Sequence, residues 1–263
     1  MKIHSIYYHN PSPTKFERML KWYIRKGYRF ISMDEFLNVY KSSSILLEKL
    51  CLITIDDGWQ GNMDLLPVIE RYSVPVTIFV STEPISSGNF WSEYIIKERG
   101  RNEMIEFKKL PYEEFNRQLD NAKRCIKLDR SAITIEQLKE LKNHPLVSIH
   151  SHTVNHPILT NVPDDVLDME LKDSQHFLET VTKRRVYAFS YPNGSLTQRE
   201  MLASKKYYEI AFTTEMRHIS KDDNPFLLPR VALTGDFYRD LLKISGIWKY
   251  IKKILLFLRI SKE

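Results

Sequence analysis

Short apolar runs that suit β-strands alternate along this chain with longer stretches of helical period, and that alternation constrains the fold more than any other feature. IHSIYYH is followed by KFERMLKWYIRKG, with Gly27 as the stop, and then by YRFIS and a helix opening at MDEFLNVY. CLITI (51–55), DLLPVIERY and VPVTIFV (74–80) continue the rhythm. Residues from about 92 to 143, rich in Glu, Lys, Arg and Leu, read as a helical insertion. The pattern resumes with VSIH (147–150), a helix from about Asp164 to Thr182, VYAFSYP (186–192), a helix near 197–205, YEIAFTT and RVAL. Strands separated by helices predict a parallel α/β fold. Seven or more β/α units closing into a barrel fit better than an open sheet. In both cases chemistry is expected at the carboxyl ends of the strands.

At 263 residues, with 43% hydrophobic and 27% charged side chains, the chain can bury a real core, which excludes disordered and low-complexity classes. Cys51 and Cys125 have no CxxC spacing and cannot build a disulfide framework. The opening MKIHSIYYHNPSPTKFERM contains no apolar h-region, so no signal peptide is read, and no run of 18 apolar residues suggests a spanning helix. Of the net charge of +6, residues from 243 onward hold six cations against Glu263. The body is therefore nearly neutral, which speaks against nucleic acid as a partner.

CLITI ends in Asp56, Asp57 and Gly58, two carboxylates leaving a strand where a turn begins. Alone, that is an Asx-turn as readily as a site. VSIH runs into HSHTVNHP, where His152 and His156 stand four apart, a spacing that on a helical turn brings both imidazoles to one side. Alone, such a pair is a surface or core coincidence as readily as a ligand pair. Together, the two strand ends supply two histidines and a carboxylate, a set that leaves open positions on a zinc-like ion, with the second aspartate free to act as base. The turn after VYAFSYP, at Asn193 and Gly194, either aims a backbone N–H at developing negative charge or is an ordinary tight turn.

ITIDDGW (53–59), HSHTVNHP (150–157), FSYPNG (189–194) and LPRVAL (228–233), in this order, resemble the polysaccharide deacetylase family, carbohydrate esterase family 4 or NodB homology domain, over residues from about 5 to 235. The opening YYHNPSPTKFERMLKWYIRKGYRFISMDEF is similar to the branch that deacetylates poly-N-acetylglucosamine. The resemblance implies a distorted (β/α)7 barrel and a divalent metal, most often zinc, used to remove N-acetyl groups from amino sugars. It implies Asp57, His152 and His156 as metal ligands and Asp56 as the base that deprotonates the attacking water. Asn193, where tyrosine is usual, would supply the backbone of the oxyanion site. The acid departs from the commoner pattern, since no histidine follows His218; Tyr8-His9 matches the Tyr-His pair of the exopolysaccharide branch, so His9 is expected as the acid. Ser190 stands where many relatives have an arginine that pairs with the base, and Arg230 is the expected substitute, unless it makes a plain surface ion pair. His150 is open as an extra ligand, a substrate contact or, the favoured reading, a packed ring. Trp91, in NFWSEY, and Tyr191 are expected to touch the sugar, with core packing the alternative for the aromatic pair Phe90 and Trp91.

From Ile244 onward, Ile244, Ile247, Trp248, Ile251, Ile254, Leu255 and Leu258 follow helical spacing, with Lys249, Lys252, Lys253 and Arg259 mostly elsewhere. This divides the chain into a deacetylase domain, 1–240, and a basic amphipathic C-terminal helix, 241–263. The helix docks on the barrel or lies peripherally on an anionic membrane. The second reading, with no signal peptide, places the protein in the cytoplasm at the inner membrane face, with a lipid-linked sugar as substrate in place of a free N-acetylated glycan. The competing readings of function are an O-acetyl esterase with the same machinery and a catalytically silent carbohydrate-binding barrel.

Overall fold

A computed structural model describes residues 2–42, 48–248 and 250–251. The first half contains β1 (Lys2–Tyr8), α1 (Pro13–Arg25), β2 (Tyr28–Ile31), α2 (Met33–Lys41), β3 (Lys49–Asp57), α3 (Leu66–Tyr72) and β4 (Val76–Val80). Four helices make up the insertion: α4 (Glu83–Ser87), α5 (Trp91–Arg99), α6 (Arg101–Phe107) and α7 (Tyr112–Cys125), with α8 (Ile135–Asn143) leading back to the barrel. The remainder runs β5 (Val147–Ser151), α9 (Asp164–Thr182), β6 (Ala188–Ser190), α10 (Gln198–Ser204), β7 (Ile210–Phe212), β8 (Ile219–Ser220), β9 (Val231–Ala232) and α11 (Phe237–Ile244).

The hub is β3, buried from Leu50 to Asp57 on both faces, as a central parallel strand must be. It pairs with β1 along one edge; along the other it pairs with β2 near its start and with β4 near its end. From β4 the parallel order continues through β5 and β6 to β7. The ring is closed by residues 225–232: Leu228 exchanges backbone hydrogen bonds with Ala211 and Thr213 beside β7, and β9 pairs with Ile6 and Tyr7 of β1. Seven strand positions thus surround the core, and the distortion lies at this short seam, where two residues of β9 do the work of a strand. The two-residue β8, antiparallel to the start of β1, has no counterpart in the sequence reading.

The helices follow their apolar spacing. In α1, Pro13 occupies the first turn and Phe16, Met19, Leu20 and Tyr23 form the buried stripe, each fully buried apolar side chain contributing about 2 kcal/mol. Gly27, at φ 73°, ends it in a conformation that costs glycine little. The insertion has its own core of Trp91, Ile95, Phe107, Phe115, Leu119 and Ala122, and so can sit over the barrel as a rigid piece.

The expected boundary at residue 240 falls inside α11. Asp240 there is fully buried and accepts hydrogen bonds from the backbone of Thr234 and Gly235, so α11 belongs to the barrel. The expected uninterrupted helix from Ile244 is broken at Gly246, at φ 79°, before helical residues 248, 250 and 251. Ile244 is buried whereas Ile247 is 51% exposed. Ile254, Leu255 and Leu258, with Lys252, Lys253 and Arg259, lie outside the described residues. The carbonyl of Ile244 accepts from Nε2 of His218, whose ring stacks on His4 near the start of β1. Hence α11 ends on the side of the barrel opposite the carboxyl ends of the strands. No helix among the described residues is long and apolar enough to cross a membrane.

Candidate active site and metal centre

The carboxyl ends of β1, β3 and β5 open into a cavity of about 340 Å³ whose walls include His9, Asp56, Asp57, His152, His156 and Asn193. Six non-glycine residues among those described have positive φ, and four of them lie here: Asp57 (79°), Thr153 (69°), His156 (55°) and Asn193 (58°). Such backbone costs about 1–3 kcal/mol per residue, so strain is concentrated where the chain turns to present these side chains.

Asp57 Oδ1 lies 3.4 Å from His152 Nε2 and 3.3 Å from His156 Nε2, and the three ligand atoms lie within 4.8 Å of one another. A tetrahedral ion with bonds of about 2.0–2.1 Å separates its ligand atoms by about 3.3 Å, which matches the two observed gaps. Three further contacts prepare the set. Trp59 Nε1 donates to Asp57 Oδ2 at 2.8 Å, while Oδ1 is buried without a hydrogen-bond partner. His152 Nδ1 lies 2.7 Å from the carbonyl of Ser190, which fixes the proton on Nδ1 and turns the Nε2 lone pair toward Asp57. Burial raises the Asp57 carboxyl, but His152, His9 and His156 outweigh that and hold it well below the carboxylate range. An orphaned anionic oxygen facing two imidazole nitrogens is the donor set of a divalent-metal site, and these residues fit one.

The histidine pairing does not come from a helical turn. The segment 152–158 is an irregular loop, and its shape is held from outside. Glu170 of α9, buried, accepts from the backbone N–H groups of Val154 and Asn155 at 2.8 and 2.9 Å and from Asn155 Nδ2 at 2.6 Å. Burial pushes its carboxyl above the usual range despite these donors. Trp91 Nε1 donates to the carbonyl of His156 at 2.8 Å.

Behind Asp57, Asp56 and Arg230 form a buried bidentate pair, Nη1 to Oδ1 at 2.7 Å and Nη2 to Oδ2 at 2.8 Å. Arg230 has no exposed surface; Thr54 Oγ1, Ser190 Oγ and the carbonyl of Thr213 accept its remaining hydrogens, and Tyr7 lies 4.3 Å from it, ring to guanidinium. The surface ion pair is thereby excluded. Burial alone raises the Asp56 carboxyl; Arg230 and then His152 more than offset it, leaving Asp56 below the ordinary range and ionised.

His9 is exposed at the rim of the cavity, 5.5 Å from the Tyr7 ring, with its carbonyl held by Asn62 Nδ2. His150 is a packed ring, between Phe79 and Tyr187, with burial pushing it down to about 4. Trp91 lines the cavity but packs against Phe107 and Phe115, so it both faces the site and belongs to the insertion core. Phe90 is buried against Trp59. Tyr191 lines the cavity as well, yet its ring is 1% exposed and its hydroxyl is turned away to Ser204 Oγ and the carbonyl of Phe226. That hydroxyl is committed to the core, so Tyr191 meets the cavity with its other atoms. Neither Trp59 nor Glu170 is picked out by the sequence: Trp59 stands in ITIDDGW with no role of its own there, and Glu170 has only its place on a helix as signal.

A parallel α/β barrel with an Asp-His-His group at its strand ends, and a second carboxylate locked to an arginine beside it, defines a class of metal-dependent hydrolases. The chain belongs to the polysaccharide deacetylase family, whose sequence pattern matches residues 45–211. It is 25% identical over 222 residues to YxkH of Bacillus subtilis (strain 168), covering 84% of this chain and 64% of that protein; the chain thus spans under two thirds of that relative's length. It is 23% identical over 231 residues to the poly-beta-1,6-N-acetyl-D-glucosamine N-deacetylase of Staphylococcus epidermidis (strain ATCC 35984), covering 87% of this chain and 70% of that protein. Among solved structures, the Streptococcus pyogenes deacetylase PplD is similar in fold with a TM-score of 0.69 at 20% identity, over 90% of this chain and 94% of that one.

Proposed function

We propose that the protein removes N-acetyl groups from amino sugars in a polysaccharide, with zinc as its metal. The observation that carries this reading is the convergence of Asp57 Oδ1, His152 Nε2 and His156 Nε2 beside an Asp56 kept ionised by Arg230. Asp57, His152 and His156 hold the ion, which when bound supplies Lewis acidity toward the amide carbonyl and acidifies water. Asp56 accepts the proton of the attacking water. The backbone N–H of Asn193, in its left-handed turn, donates to the oxyanion that forms as the water oxygen adds to the carbonyl carbon. His9, at the rim, gives a proton to the departing amine, since an amine anion is a very poor leaving group. Trp91 offers an apolar wall for the sugar.

The polysaccharide is preferred to a lipid-linked glycan because the poly-beta-1,6-N-acetyl-D-glucosamine N-deacetylase to which the chain is similar is named for a polysaccharide; α11 itself ends on the opposite side of the barrel from the cavity. Peripheral membrane contact, at the cytoplasmic face, is proposed from the charge of the tail residues; vesicle pelleting with and without the tail, and cell fractionation, test it.

The deciding experiment compares the parent with His156→Ala after chelation and reloading with zinc. The expected result is about one ion per parent chain, none in the variant, and acetate release from poly-N-acetylglucosamine by the parent alone. Equal metal content in both would overturn the site, and release only from acetylxylan would make the protein an O-acetyl esterase.

A further inference from the structure

The insertion sends one charged side chain into the catalytic cavity, Lys108, at the end of α6. Its backbone is built in: Asn161 Nδ2, from the short helical turn after the ligand loop, donates to the Lys108 carbonyl at 3.0 Å. Its ammonium donates to Asn193 Oδ1 and lies 6.0 Å from the Trp91 ring centroid. It has no carboxylate at ion-pair distance among the described residues.

The other fixed charges lining the cavity are already matched. Asp56 is neutralised by Arg230, and Asp57 faces the two histidines with which it would share an ion. Lys108, which feels Asp57 at longer range but has no carboxylate at ion-pair distance among the described residues, stands in a cavity walled partly by Trp91, Ile96 and Met104, where a charge without a direct partner is felt strongly. Asn193 adds a second observation. Because its Oδ1 accepts from Lys108, the carboxamide is fixed in one orientation, and its Nδ2 is left buried without an acceptor. An ammonium with hydrogens to spare and an unsatisfied amide N–H₂ therefore sit side by side at the wall of the site.

We infer that Lys108 and Asn193 form an anion subsite, and that the preferred amino sugar carries a negative group, phosphate or carboxylate, near the N-acetyl group removed. This deepens the deacetylase reading and rests on it for the sugar. It also departs from a neutral polymer as the best substrate. Lys108 is thereby a specificity residue supplied by the insertion.

Calorimetric titration of the zinc-loaded full chain with N-acetylglucosamine, N-acetylglucosamine 6-phosphate and N-acetylmuramic acid tests it by a readout, affinity, that activity does not define. At least one anionic sugar is expected to bind about tenfold tighter than the neutral one, an advantage that shrinks with added salt. The phosphate and carboxylate arms show which group is preferred. Lys108→Met is expected to bring the anionic and neutral affinities to near equality, and Lys108→Arg to retain most of the difference; Lys108→Gln replaces the first variant should its melting curve show it unfolded. Equal binding of all three sugars by the parent, or a preference that survives loss of the charge, overturns the inference. Acetate release measured alongside separates the two readings: a charge-dependent binding difference without deacetylation of any amino sugar would sink the deacetylase reading and leave the subsite standing.

Discussion

Two pairs of histidines stand at opposite ends of the barrel and meet opposite fates. At the amino end, His4 and His218 stack with ring centroids 3.7 Å apart, and every ring nitrogen has a partner: Tyr23 and Tyr28 hydroxyls for His4, the Ser5 N–H and the Ile244 carbonyl for His218. At the carboxyl end, His152 and His156 meet edge to face at 4.7 Å, and both Nε2 atoms face one orphaned carboxylate oxygen. Burial drives His4 down to about 3 and His218 down to about 4, so that pair is neutral structure. His152, beside two aspartates, is raised even though burial opposes it. Histidine becomes a ligand here not because it is buried, which all four nearly are, but because one nitrogen is fixed by the fold and the other is left facing charge.

The largest effect expected at the carboxyl end comes from Arg230→Met. It leaves Asp56 buried and unpaired, which costs about 3–5 kcal/mol in urea unfolding and abolishes activity. Arg230→Met combined with Asp56→Leu is expected to recover most of the stability and none of the activity. A single-variant loss below about 1 kcal/mol would mean that water reaches the pair. Next in size is zinc itself. At a free concentration a hundredfold above its Kd, it is expected to stabilise the parent by about 2.7 kcal/mol, to leave His152→Ala unmoved, and to stabilise His218→Gln as much as the parent. A His218→Gln protein that no longer responds to zinc would break the contrast between the two ends.

What could be read in advance follows the range of the interaction concerned. Asp57, His152 and His156 are legible because the first ends a strand and the other two follow one, and strand ends of a parallel barrel meet whatever lies between them. Arg230 is readable as the substitute, but the choice between a buried pair and a surface one is not, since its partner Asp56 is 174 residues away and the enclosing Thr54 and Ser190 come from other strands. The four-residue spacing of the histidines suits a turn of helix, but the loop takes another shape because Glu170 and Trp91, neither within its own period, impose it. The apolar spacing of the tail runs straight through Gly246, but a left-handed glycine there ends the helix. Tyr191 does line the cavity, but only the packing of α10 shows where its hydroxyl goes. Lys108, one of many lysines in a charged insertion, carried no local signal at all.

The smallest effect tests the amino end. His218 is pushed down to about 4, first by burial and then by Lys2, against the favourable hydrogen bond to Ile244; His4, Tyr23, Tyr28 and Lys49 are the other charged and titratable groups around the stacked pair. An unfolded histidine titrates near 6.5, so between about pH 6.5 and 4 the unfolded chain binds a proton that the folded one refuses. The stability due to His218 is therefore complete above pH 6.5 and is lost as the pH falls toward 4, at about 1.4 kcal/mol per pH unit, or about 2 kcal/mol by pH 5. His218→Gln is expected to flatten the parent's fall in unfolding free energy over this range by that amount. Contributions from the metal-ligand histidines are common to both proteins and cancel in the difference. Parallel slopes for the two proteins would show that the folded state accepts the proton after all, which requires the Ser5 N–H to have left His218 Nδ1 and makes the amino-end pair no more settled than the one that faces Asp57.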